Sequence, residues 1–543
     1  MNESISGAYA LARGAIEAGV SLATSYPGSP VTPVVNHILE LTSPDEVQVE
    51  WTSNEKVAIE MALGASVGGA RSLLCVKGVG LNIALDPLMA FNLSGCNAGF
   101  VILVGDDPGS WGSQNEQDSR ALALMAELPL LEPTSVSDAR AMMREAFQLS
   151  EKMGLPVIVR ITRALVLAEG MELAEEKFKI VPPPSFQREF MRWVVLPVNV
   201  VPRHRRLLER LEEVQVRFED SPFNGVEGEG AHGVIAAGFV YQKLLDSLGG
   251  VIPPELRVLR LGTFHPLPVE RVTDFLTRVE SVLVLEETLP LVERSVRATV
   301  QRAGLTLPVY GRDTGHISRT GELFAPHIAA ALNELASQLA LSTEGESGRP
   351  MPSRQPLCDD CPYIPTFDAL VEVMERWGGR DEFIVVGDPG CMVRSQLPPY
   401  ELMDVKHSLG SSIGMAAGVA LSQAKSGEGK RVVTLCGDSS FLHSGFAGLV
   451  DAVRVGARML VLILDNGTTA LSGGQPHPAS QTDARGRPRR TVDMAALARE
   501  AGAGDVRVVD LDRGEDIRSA IEAGMDADGV AVVIARGQCP RWL

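Results

Sequence analysis

Two apolar, β-branched segments in the last quarter of the chain each run into polar residues that suit a metal ion. The first, Val432–Phe441 (VVTLCGDSSF), contains Asp438, and the second, Arg458–Ala470 (RMLVLILDNGTTA), contains Asn466. Both patterns are typical of buried parallel strands, and parallel sheets bind ligands at the carboxyl ends of their strands. Asp438 and Asn466, 28 positions apart, are therefore predicted to converge on one hard cation. A carboxylate, an amide oxygen and a backbone carbonyl suit Mg²⁺, which takes further oxygens from water and a phosphate.

The length of the chain and its composition set broad limits. At 543 residues the chain exceeds one hydrophobic core, so several domains are expected. The net charge of −18 argues against a general nucleic-acid or anionic-membrane surface. No apolar run approaches membrane-spanning length, and Met1–Gly14 does not resemble a signal peptide. Seven scattered cysteines suit a reducing compartment, so we expect a cytoplasmic protein without nucleic-acid or membrane partners.

Helical and strand patterns alternate along most of the chain, which predicts an α/β fold with parallel sheets. Four regions are expected: an α/β domain at 1–175, a linker region with one exposed helix at 176–225, a second α/β unit at 226–340, and a last α/β domain at 356–543 after a Ser-, Gly- and Pro-rich linker at 342–355. The predicted helices are Ile5–Ala18, Val57–Gly69, Arg203–Asp220 and Phe239–Leu248. Besides the two opening segments, the predicted strands are Leu22–Tyr26, Ser72–Val76, Gly99–Val104, Pro156–Ile161, Gly233–Ala237, Arg257–Leu261, Val282–Glu286 and Ile384–Val386.

Two glycine-rich segments in the last domain are typical of anion-binding turns. One is Gly387–Cys391, which follows a strand, and the other is Ser408–Gly414, which opens a helix of small residues. Small residues at a helix start let backbone N–H groups approach an anion closely, and the helix dipole favours negative charge there. Because Asp438 and Asn466 lie in the same domain, the combination resembles the diphosphate–magnesium motif of thiamine-diphosphate enzymes.

Glu55 is the candidate for the opposite end of such a cofactor. It opens a helical pattern whose later positions, up to Gly69, are small. A glutamate at this place also complements the helix dipole without any further role. Thiamine catalysis, however, needs one carboxylate against the aminopyrimidine ring, where it shares a proton with N1′. In an enclosed site proton sharing is favoured over an isolated charge, so Glu55 is the predicted catalytic carboxylate.

Several motifs, in the same order along nearly the whole chain, resemble one family. They are Tyr26–Pro30, Asn54–Ala58, Val76–Asn82 with Asp86-Pro87, Leu357–Pro362, Asp388–Cys391, Gly437–Gly445, Leu464–Ala470 and Gln475–Pro478. The family is that of the large (alpha) subunits of indolepyruvate ferredoxin oxidoreductases, within the 2-oxoacid:ferredoxin oxidoreductases. The resemblance implies a thiamine-diphosphate-binding fold. In it the first domain binds the pyrimidine end, the last domain binds diphosphate and Mg²⁺, and the 226–340 unit is like a transketolase C-terminal domain.

The same resemblance implies roles for individual residues. Mg²⁺ would be ligated by Asp438, Asn466 and the carbonyl of Thr468. Ser29 and Lys77 are expected near the substrate, and His443 and His477 are candidate catalytic proton carriers, with a structural role as the alternative for either. The residues expected to contact thiamine diphosphate are Glu55, Gly390, Cys391, Gly410, Ser411, Ile413, Gly437, Ser439, Ser440, Asn466 and Thr468.

The chain also departs from the family pattern. Family large subunits end in a domain with two iron–sulfur clusters, whereas this sequence ends where that domain would begin. Cys358–Cys361 is a lone CxxC that lacks two further ligands, so no iron–sulfur cluster is expected on this chain. Gly78 stands where the family has a histidine, and Tyr363-Ile364 stands where it has His-Arg. The chain thus lacks two polar groups that could hold an anion or move a proton.

These features predict thiamine-diphosphate-dependent oxidative decarboxylation of an aryl or branched 2-oxo acid. Coenzyme A is a candidate acyl acceptor, and the basic loop of Arg485, Arg487, Arg489 and Arg490 is either its contact or a solvated surface. Electrons are expected to pass to a redox partner, and the resemblance implies a homodimer with a smaller second subunit. One alternative is a non-oxidative thiamine-dependent decarboxylase, lyase or carboligase, and another is a non-catalytic scaffold subunit.

Overall fold

The structure, a computed structural model, describes residues 4–171, 185–348, 356–425 and 429–542. The chain forms two compact units, the first made of 1–50 and 55–351 and the second of 51–54 and 352–543. The predicted α/β class is confirmed, because helices alternate with strands of mainly parallel sheets in both units. Part of the linker predicted at 176–225, residues 176–184, lies outside the described residues, and so does the 349–355 end of the linker predicted before the last domain.

The first part of the first unit follows the predicted alternation closely. Strands β4 and β5 are apolar along almost their whole length and buried at nearly every position, as expected for parallel strands covered on both faces. Its strands are β1 (Ser4–Ser6), β2 (Leu22–Ser25), β3 (Gln48–Trp51), β4 (Ser72–Lys77), β5 (Phe100–Asp106), β6 (Leu130–Leu131), β7 (Val157–Thr162) and β8 (Glu169–Met171). Its helices are α1 (Gly7–Glu17), α2 (Thr32–Leu41), α3 (Glu55–Val67), α4 (Gly78–Ser94), α5 (Arg120–Ala126), α6 (Val136–Met153) and α7 (Arg163–Leu167).

The second part of the first unit begins inside the region predicted as a linker. The strands are β9 (Asn224–Glu227), β10 (His232–Ala237), β11 (Leu256–Leu261), β12 (Thr263–His265), β13 (Ser281–Leu285) and β14 (Val309–Tyr310). The helices are α8 (Phe190–Trp193), α9 (Pro197–Glu219), α10 (Val240–Ser247), α11 (Val269–Leu276), α12 (Leu291–Arg302) and α13 (Ala325–Leu335). The helix predicted as exposed corresponds to α9, which is longer than predicted and buries an apolar stripe that includes Leu207, Leu211, Val214 and Phe218. The prediction of an exposed helix was wrong for that face, because the apolar positions recur at helical spacing and pack inward.

Two sheets form the framework of the first unit. The larger has the strand order β12-β6-β7-β5-β4-β2-β3, with β2, β4, β5 and β7 paired in parallel. The smaller has the order β14-β13-β10-β11-β9, in which β9 is antiparallel to β11. Strand β12, from the second part of the unit, adds to the edge of the larger sheet through β6. The two parts of the unit are therefore joined by backbone pairing as well as by side chains.

Two buried arginines also join the two sheets of the first unit. Arg160 in β7 contacts Asp106 on the neighbouring strand β5, 2.6 Å away, and donates to the carbonyl of Glu287 after β13 at 2.8 Å. Arg120 contacts Glu286 after β13, 2.8 Å away. Further carboxylate partners of this pair are Asp118 and Glu132. Burial raises the pKa of both Asp106 and Glu286. A buried ion pair of this kind becomes costly as soon as one partner is removed, because the other charge is left without compensation.

The second unit is a single parallel sheet with helices on its faces. Its strands are β15 (Phe383–Gly387), β16 (Val405–Lys406), β17 (Arg431–Gly437), β18 (Met459–Asp465), β19 (Asp505–Asp510) and β20 (Val530–Arg536). Its helices are α14 (Ile364–Arg376), α15 (Ser412–Gln423), α16 (Asp438–Ser440), α17 (Phe446–Arg454), α18 (Met494–Glu500) and α19 (Ile517–Asp526). The strand order is β16-β15-β17-β18-β20-β19, and each of these pairings is parallel. The two segments singled out in the sequence are the neighbouring strands β17 and β18, so their carboxyl ends share one edge.

In the described parts of the chain, no helix combines the length and the apolar character that crossing a membrane requires.

Replacing Arg120 with methionine is expected to destabilise the first unit strongly. The side chain is fully buried between Asp118 and Glu286, so its removal leaves buried carboxylates without their partner and lowers the free energy of unfolding by about 3–5 kcal/mol. Urea denaturation at neutral pH measures this change. Arg278→Met, which removes an exposed pair with Asp274, is the control and should change the free energy of unfolding little, because solvent screens such a pair. Equal small losses for both variants would contradict a structural role for the buried pair.

Candidate active site

The buried carboxylate of Asp438 brings together the turns that follow β17 and β18. Its Oδ1 accepts the N–H of Ser439 at 2.7 Å. Its Oδ2 accepts the backbone N–H groups of Asn466 at 3.0 Å and Gly467 at 2.8 Å. Asp438 is 2% exposed. The two residues predicted to converge from separate strand ends are therefore adjacent, as expected for neighbouring parallel strands.

The side-chain amide of Asn466 is held from two directions. Its Nδ2 donates to the hydroxyl oxygen of Tyr363 at 2.6 Å, and its Oδ1 accepts the backbone N–H of Thr468 at 3.1 Å. The Thr468 carbonyl in turn accepts the N–H of Ala470 at 2.9 Å. A carbonyl oxygen has two lone pairs, so one hydrogen bond to each of these oxygens leaves capacity for a cation.

His477 contacts the same carboxylate from the following loop. Its Nε2 lies 3.1 Å from Asp438 Oδ2, and its Nδ1 accepts the N–H of Ala479 at 3.2 Å. The Nδ1 contact places the ring proton on Nε2, which therefore donates to the carboxylate. Burial lowers the pKa of His477, but the charge and hydrogen bond of Asp438 together with the Asp465 charge outweigh that effect, and the pKa is raised overall.

His443 lies on another element, in the turn Phe441–Gly445 between α16 and α17. The side chain is buried, and its Nδ1 is 3.0 Å from the hydroxyl of Ser444. Its carbonyl oxygen accepts a hydrogen bond from Asn54 in the short segment 51–54 that belongs to this unit. The two predicted proton carriers therefore have different surroundings, and the His477 ring contacts the Asp438 carboxylate.

The start of α15 is fixed by another buried carboxylate, Asp388 in the turn after β15. It accepts hydrogen bonds from the N–H and the hydroxyl of Ser412 at 3.2 and 2.8 Å, and from the Cys436 thiol at 3.2 Å. Burial raises the pKa of Asp388 to about 6. Gly410, just before the helix, has φ of +73°, and a Cβ at this position would collide with Ser444. This glycine is thus required by both backbone conformation and close packing.

The other predicted cofactor-contacting residues lie in the same unit. Ser411 precedes the first residue of α15, and Ile413 is fully buried within the helix. Gly437 ends β17, and both Ser439 and Ser440 are buried in α16. Gly390 has φ of +141° immediately before Cys391. These positions all follow strands of the one sheet, as their motifs predicted.

Four cysteines line one cavity of about 360 Å³ in this unit. They are Cys358, Cys361, Cys391 and Cys539. Burial raises the pKa of Cys391 to about 11, and the other three thiols add to that rise. The CxxC pair, expected to stand alone, therefore shares its cavity with two further cysteines. Cys391 and Cys539 are far from it in sequence, and only the packing of the C-terminal segment brings them to it.

The C-terminal segment is pinned directly to the Asn466 loop. The backbone N–H of Cys539 donates to the carbonyl of Asn466 at 3.3 Å, and the Trp542 indole donates to the carbonyl of Ala470 at 3.0 Å. Tyr363 and Asn466 both line the cysteine cavity. Tyr363 and Asn466 therefore belong both to the cysteine cavity and to the predicted metal site.

Metal-binding capacity can be judged from these donor sets. In the described ranges there is no group of three or more His, Cys, Asp or Glu side chains that could hold a metal ion. The set expected for Mg²⁺ is of another kind, because it combines the Asp438 carboxylate with the Asn466 amide and the Thr468 carbonyl. These are hard oxygen donors that fit Mg²⁺ together with a diphosphate. Cysteine thiolates are softer donors than these oxygens and suit zinc or an iron–sulfur cluster rather than Mg²⁺.

In the first unit, Glu55 is the first residue of α3 and is 5% exposed. Its side chain packs against Gly80, where an added Cβ would lie 2.7 Å from Glu55 Cγ. Lys77 ends β4, and its stem packs against Gly28 in the same way. Burial lowers the pKa of Lys77, whereas the nearby charges of Asp107 and Glu55 raise it. The structure therefore brings the predicted catalytic carboxylate and a predicted substrate contact into one cluster.

Ser29 and Gly78 complete the predicted positions in the first unit. Ser29 is exposed in the turn after β2. A Cβ at Gly78 would lie 2.9 Å from the hydroxyl of Ser119, which itself donates to Asp106 at 2.6 Å. A side chain larger than hydrogen thus has no room here. Asp106 and Ser119 occupy the space next to this departure from the family pattern.

The basic loop is organised by an acidic residue that the sequence pattern did not single out. Asp483 lies 2.8 Å from Arg487 and 3.2 Å from Arg489, and it also accepts the N–H of Arg485. Part of the positive charge is therefore balanced within the loop.

Two groups in the second unit were missed as site residues. Tyr363 was seen only as a departure, although its hydroxyl contacts Asn466, and Asp388 was seen only as part of a turn. Asp388 carried a usable signal, since an acidic residue between glycines at a strand end is typical of a functional turn. Tyr363 carried none, because its partner lies on a distant strand end.

Comparisons with known proteins match both units. A family model described as "Pyruvate flavodoxin/ferredoxin oxidoreductase, thiamine diP-bdg" matches residues 13–208, and "Thiamine pyrophosphate enzyme, C-terminal TPP binding domain" matches residues 388–535. Indolepyruvate oxidoreductase subunit IorA of Pyrococcus abyssi is 34% identical, with 98% of this chain and 85% of that protein covered. The protein of the same name from Methanothermobacter thermautotrophicus is 35% identical with the same coverage. Among solved structures, a 2-oxoglutarate:ferredoxin oxidoreductase from Magnetococcus marinus matches with 18% identity and a TM-score of 0.47, over 57% of this chain and 62% of that chain.

The stability of the second unit is expected to depend on pH through Asp388. Its folded-state pKa of about 6 lies above the ordinary value of 3.8, so its contribution is complete below pH 4 and is lost as the pH rises through 6. Two pKa units correspond to about 3 kcal/mol. Asp388→Asn should therefore unfold in urea with a flatter pH dependence between pH 4 and 7 than the wild type. The exposed Asp381→Asn is the control, and parallel curves for all three proteins would contradict the assignment.

Proposed function

Because the chain belongs to the indolepyruvate oxidoreductase subunits of the thiamine-diphosphate-dependent 2-oxoacid:ferredoxin oxidoreductase family, we propose that it oxidatively decarboxylates an aryl or branched 2-oxo acid. The observation that carries this proposal is the buried Asp438 carboxylate, which accepts the backbone N–H groups of Asn466 and Gly467. The aryl preference is supported by the names of the relatives. The acyl product is supported by the electron balance of the reaction with coenzyme A.

Thiamine diphosphate, when bound, supplies the carbon nucleophile and the electron sink that decarboxylation of a 2-oxo acid requires. The protein's part is to bind, orient and polarise. Asp438, Asn466 and the Thr468 carbonyl would hold Mg²⁺ on the diphosphate. Backbone N–H groups at the start of α15 and in the turns after β15 and β17 would approach the diphosphate oxygens. Those positions are Gly390, Cys391, Gly410, Ser411, Ile413, Gly437, Ser439 and Ser440.

In the first unit, Glu55 would share a proton with the N1′ nitrogen of the aminopyrimidine ring. Its side chain is buried and packs against Gly80. Lys77, held by the charges of Asp107 and Glu55, would place a cation near the substrate carboxylate. Ser29, exposed in the turn after β2, would offer a hydroxyl to the same group. His443 and His477 stay candidates for proton transfer.

The reaction balances with a thiol acceptor. A 2-oxo acid and coenzyme A give an acyl thioester, carbon dioxide, one proton and two electrons. The two electrons need a one-electron carrier such as a ferredoxin-type protein. Coenzyme A in turn needs a binding site for its negatively charged phosphates. Arg485, Arg487, Arg489 and Arg490 are candidate contacts for the phosphates of coenzyme A. A homodimer with a smaller second subunit is part of the same proposal.

A redox centre held by the four cysteines would be the first acceptor of those electrons. Four thiolates suit either an iron–sulfur cluster or zinc. A cavity between the four thiols favours a cluster, which occupies volume that a single ion does not. We therefore propose that Cys358, Cys361, Cys391 and Cys539 hold one cluster, whereas the sequence alone predicts none.

The function is tested with a panel of 2-oxo acids, coenzyme A and a dye acceptor. Indolepyruvate and phenylpyruvate should reduce the dye and yield acyl thioesters, whereas an aldehyde product without dye reduction would favour the non-oxidative alternative. Glu55→Gln should retain Mg²⁺-dependent binding of thiamine diphosphate but lose at least about 10²-fold in rate, since it can no longer share the proton. Glu60→Gln, an exposed change on the same helix, is the control. Unchanged rates for Glu55→Gln would remove that residue from its role.

Metal analysis tests the cysteine proposal separately. Protein reconstituted anaerobically with iron and sulfide should hold about four iron atoms per chain and absorb in the visible range, as a four-cysteine cluster does. Cys358→Ser should lose this absorbance, whereas Cys75→Ala, in the buried strand β4, should keep it. Zinc in place of iron, or no dependence on Cys358, would contradict the cluster.

A further inference from the structure

Tyr363 occupies a buried position between α14 and the end of β18. It directly precedes α14, is 3% exposed, and packs edge-on against Phe367 with ring centroids 6.1 Å apart. Its hydroxyl lies 3.4 Å from the carbonyl of Leu464 and 2.6 Å from Nδ2 of Asn466. The Tyr363 hydroxyl therefore contacts the side-chain amide of Asn466, which the proposed function assigns as a metal ligand.

The hydrogen bonds around Asn466 decide which way its amide faces. The backbone N–H of Thr468 can only donate, so the Asn466 atom that it meets must be the oxygen. The nitrogen must then point to Tyr363, whose hydroxyl oxygen accepts from it and whose proton is directed at the Leu464 carbonyl. The amide plane is thus fixed at both ends, and its oxygen keeps one lone pair for a further partner.

The backbone of Asn466 adds a third restraint. Its N–H donates to Asp438 Oδ2, so the main chain cannot turn to compensate if the amide swings. Without the Tyr363 hydroxyl, the buried Nδ2 would lose its acceptor, which is costly, or would rotate and meet the Thr468 N–H with another donor. Neither state presents the oxygen in the same direction.

We propose that Tyr363 is a positioning residue for the metal, which presents the Asn466 side-chain oxygen to Mg²⁺. This inference rests on the proposed function, since it takes Asn466 as a ligand of the diphosphate-bound ion. Tyr363 acts through Asn466 and touches neither the substrate nor the ion. Its effect should therefore appear in the Mg²⁺ requirement of cofactor binding.

Tyr400 provides a closely matched control. It packs against the same Phe367 ring, with centroids 5.5 Å apart, but its hydroxyl donates to Asp368 at 2.7 Å in an exposed setting. Tyr363→Phe and Tyr400→Phe remove the same atom from two tyrosines that flank one phenylalanine. Only the first removes a contact with Asn466.

The experiment measures binding of thiamine diphosphate by titration calorimetry at a series of Mg²⁺ concentrations, with no substrate present. In Tyr363→Phe the Mg²⁺ concentration for half-maximal binding should rise about tenfold, the effect of one buried hydrogen bond. Tyr400→Phe should bind as the wild type does. The melting temperature without cofactor shows whether each variant is folded. A purely structural role for Tyr363 would lower that temperature and leave the Mg²⁺ dependence unchanged, which would overturn the inference.

A double-variant comparison separates action through Asn466 from any independent effect. Asn466→Ala alone should weaken Mg²⁺-dependent binding, and adding Tyr363→Phe should cause no further loss, because the group that Tyr363 orients is already gone. Additive losses would overturn the inference. If the wild type itself binds thiamine diphosphate without any Mg²⁺ dependence, the metal assignment in the proposed function fails instead.

Discussion

The carboxylate of Asp438 is the interaction on which the arrangement of the second unit's site depends. It is buried, so its charge must be met by nearby donors, and those donors are the backbone of the next strand's turn and the ring of His477. A carboxylate that collects N–H groups in this way draws two strand ends together without consuming all of its acceptor capacity. The remaining capacity is what a cation on a diphosphate would use. The same residue thus serves the fold of the turn and the proposed chemistry.

In the first unit, too, polar side chains gather at the carboxyl ends of parallel strands, but the residues differ. Lys77 and Asp106 end neighbouring strands, and Glu55 opens the helix that packs beside them. Because strands buried on both faces admit few polar groups, ionisable side chains gather where the strands end. The buried Arg120 and Arg160 then connect this edge to the second sheet of the unit, through Glu286 and the Glu287 carbonyl. Fold stability and site geometry are therefore coupled through the same ion pairs.

The cysteines show how packing brings together residues that are distant in the sequence. Cys358 and Cys361 are close in sequence and suggested a site with too few ligands. Cys391 follows a glycine turn, and Cys539 arrives on the C-terminal segment that hydrogen-bonds to Asn466. Tyr363 lines the same cavity and contacts the same asparagine. The cavity of the proposed cluster and the proposed metal site therefore have Tyr363 and Asn466 in common.

The sequence by itself determined the α/β class, the strands β17 and β18, and the convergence of Asp438 and Asn466, because apolar runs and the polar residues that end them are local patterns. Glycine turns such as Gly387–Cys391 were likewise readable, since their backbone conformations restrict the residue type. The tertiary structure alone decided the buried face of α9, the assembly of four cysteines, and the hydrogen bond from Asn466 to Tyr363. Each of these joins residues that are distant in the chain, and their contact depends on how helices and strands pack rather than on any pattern within a segment.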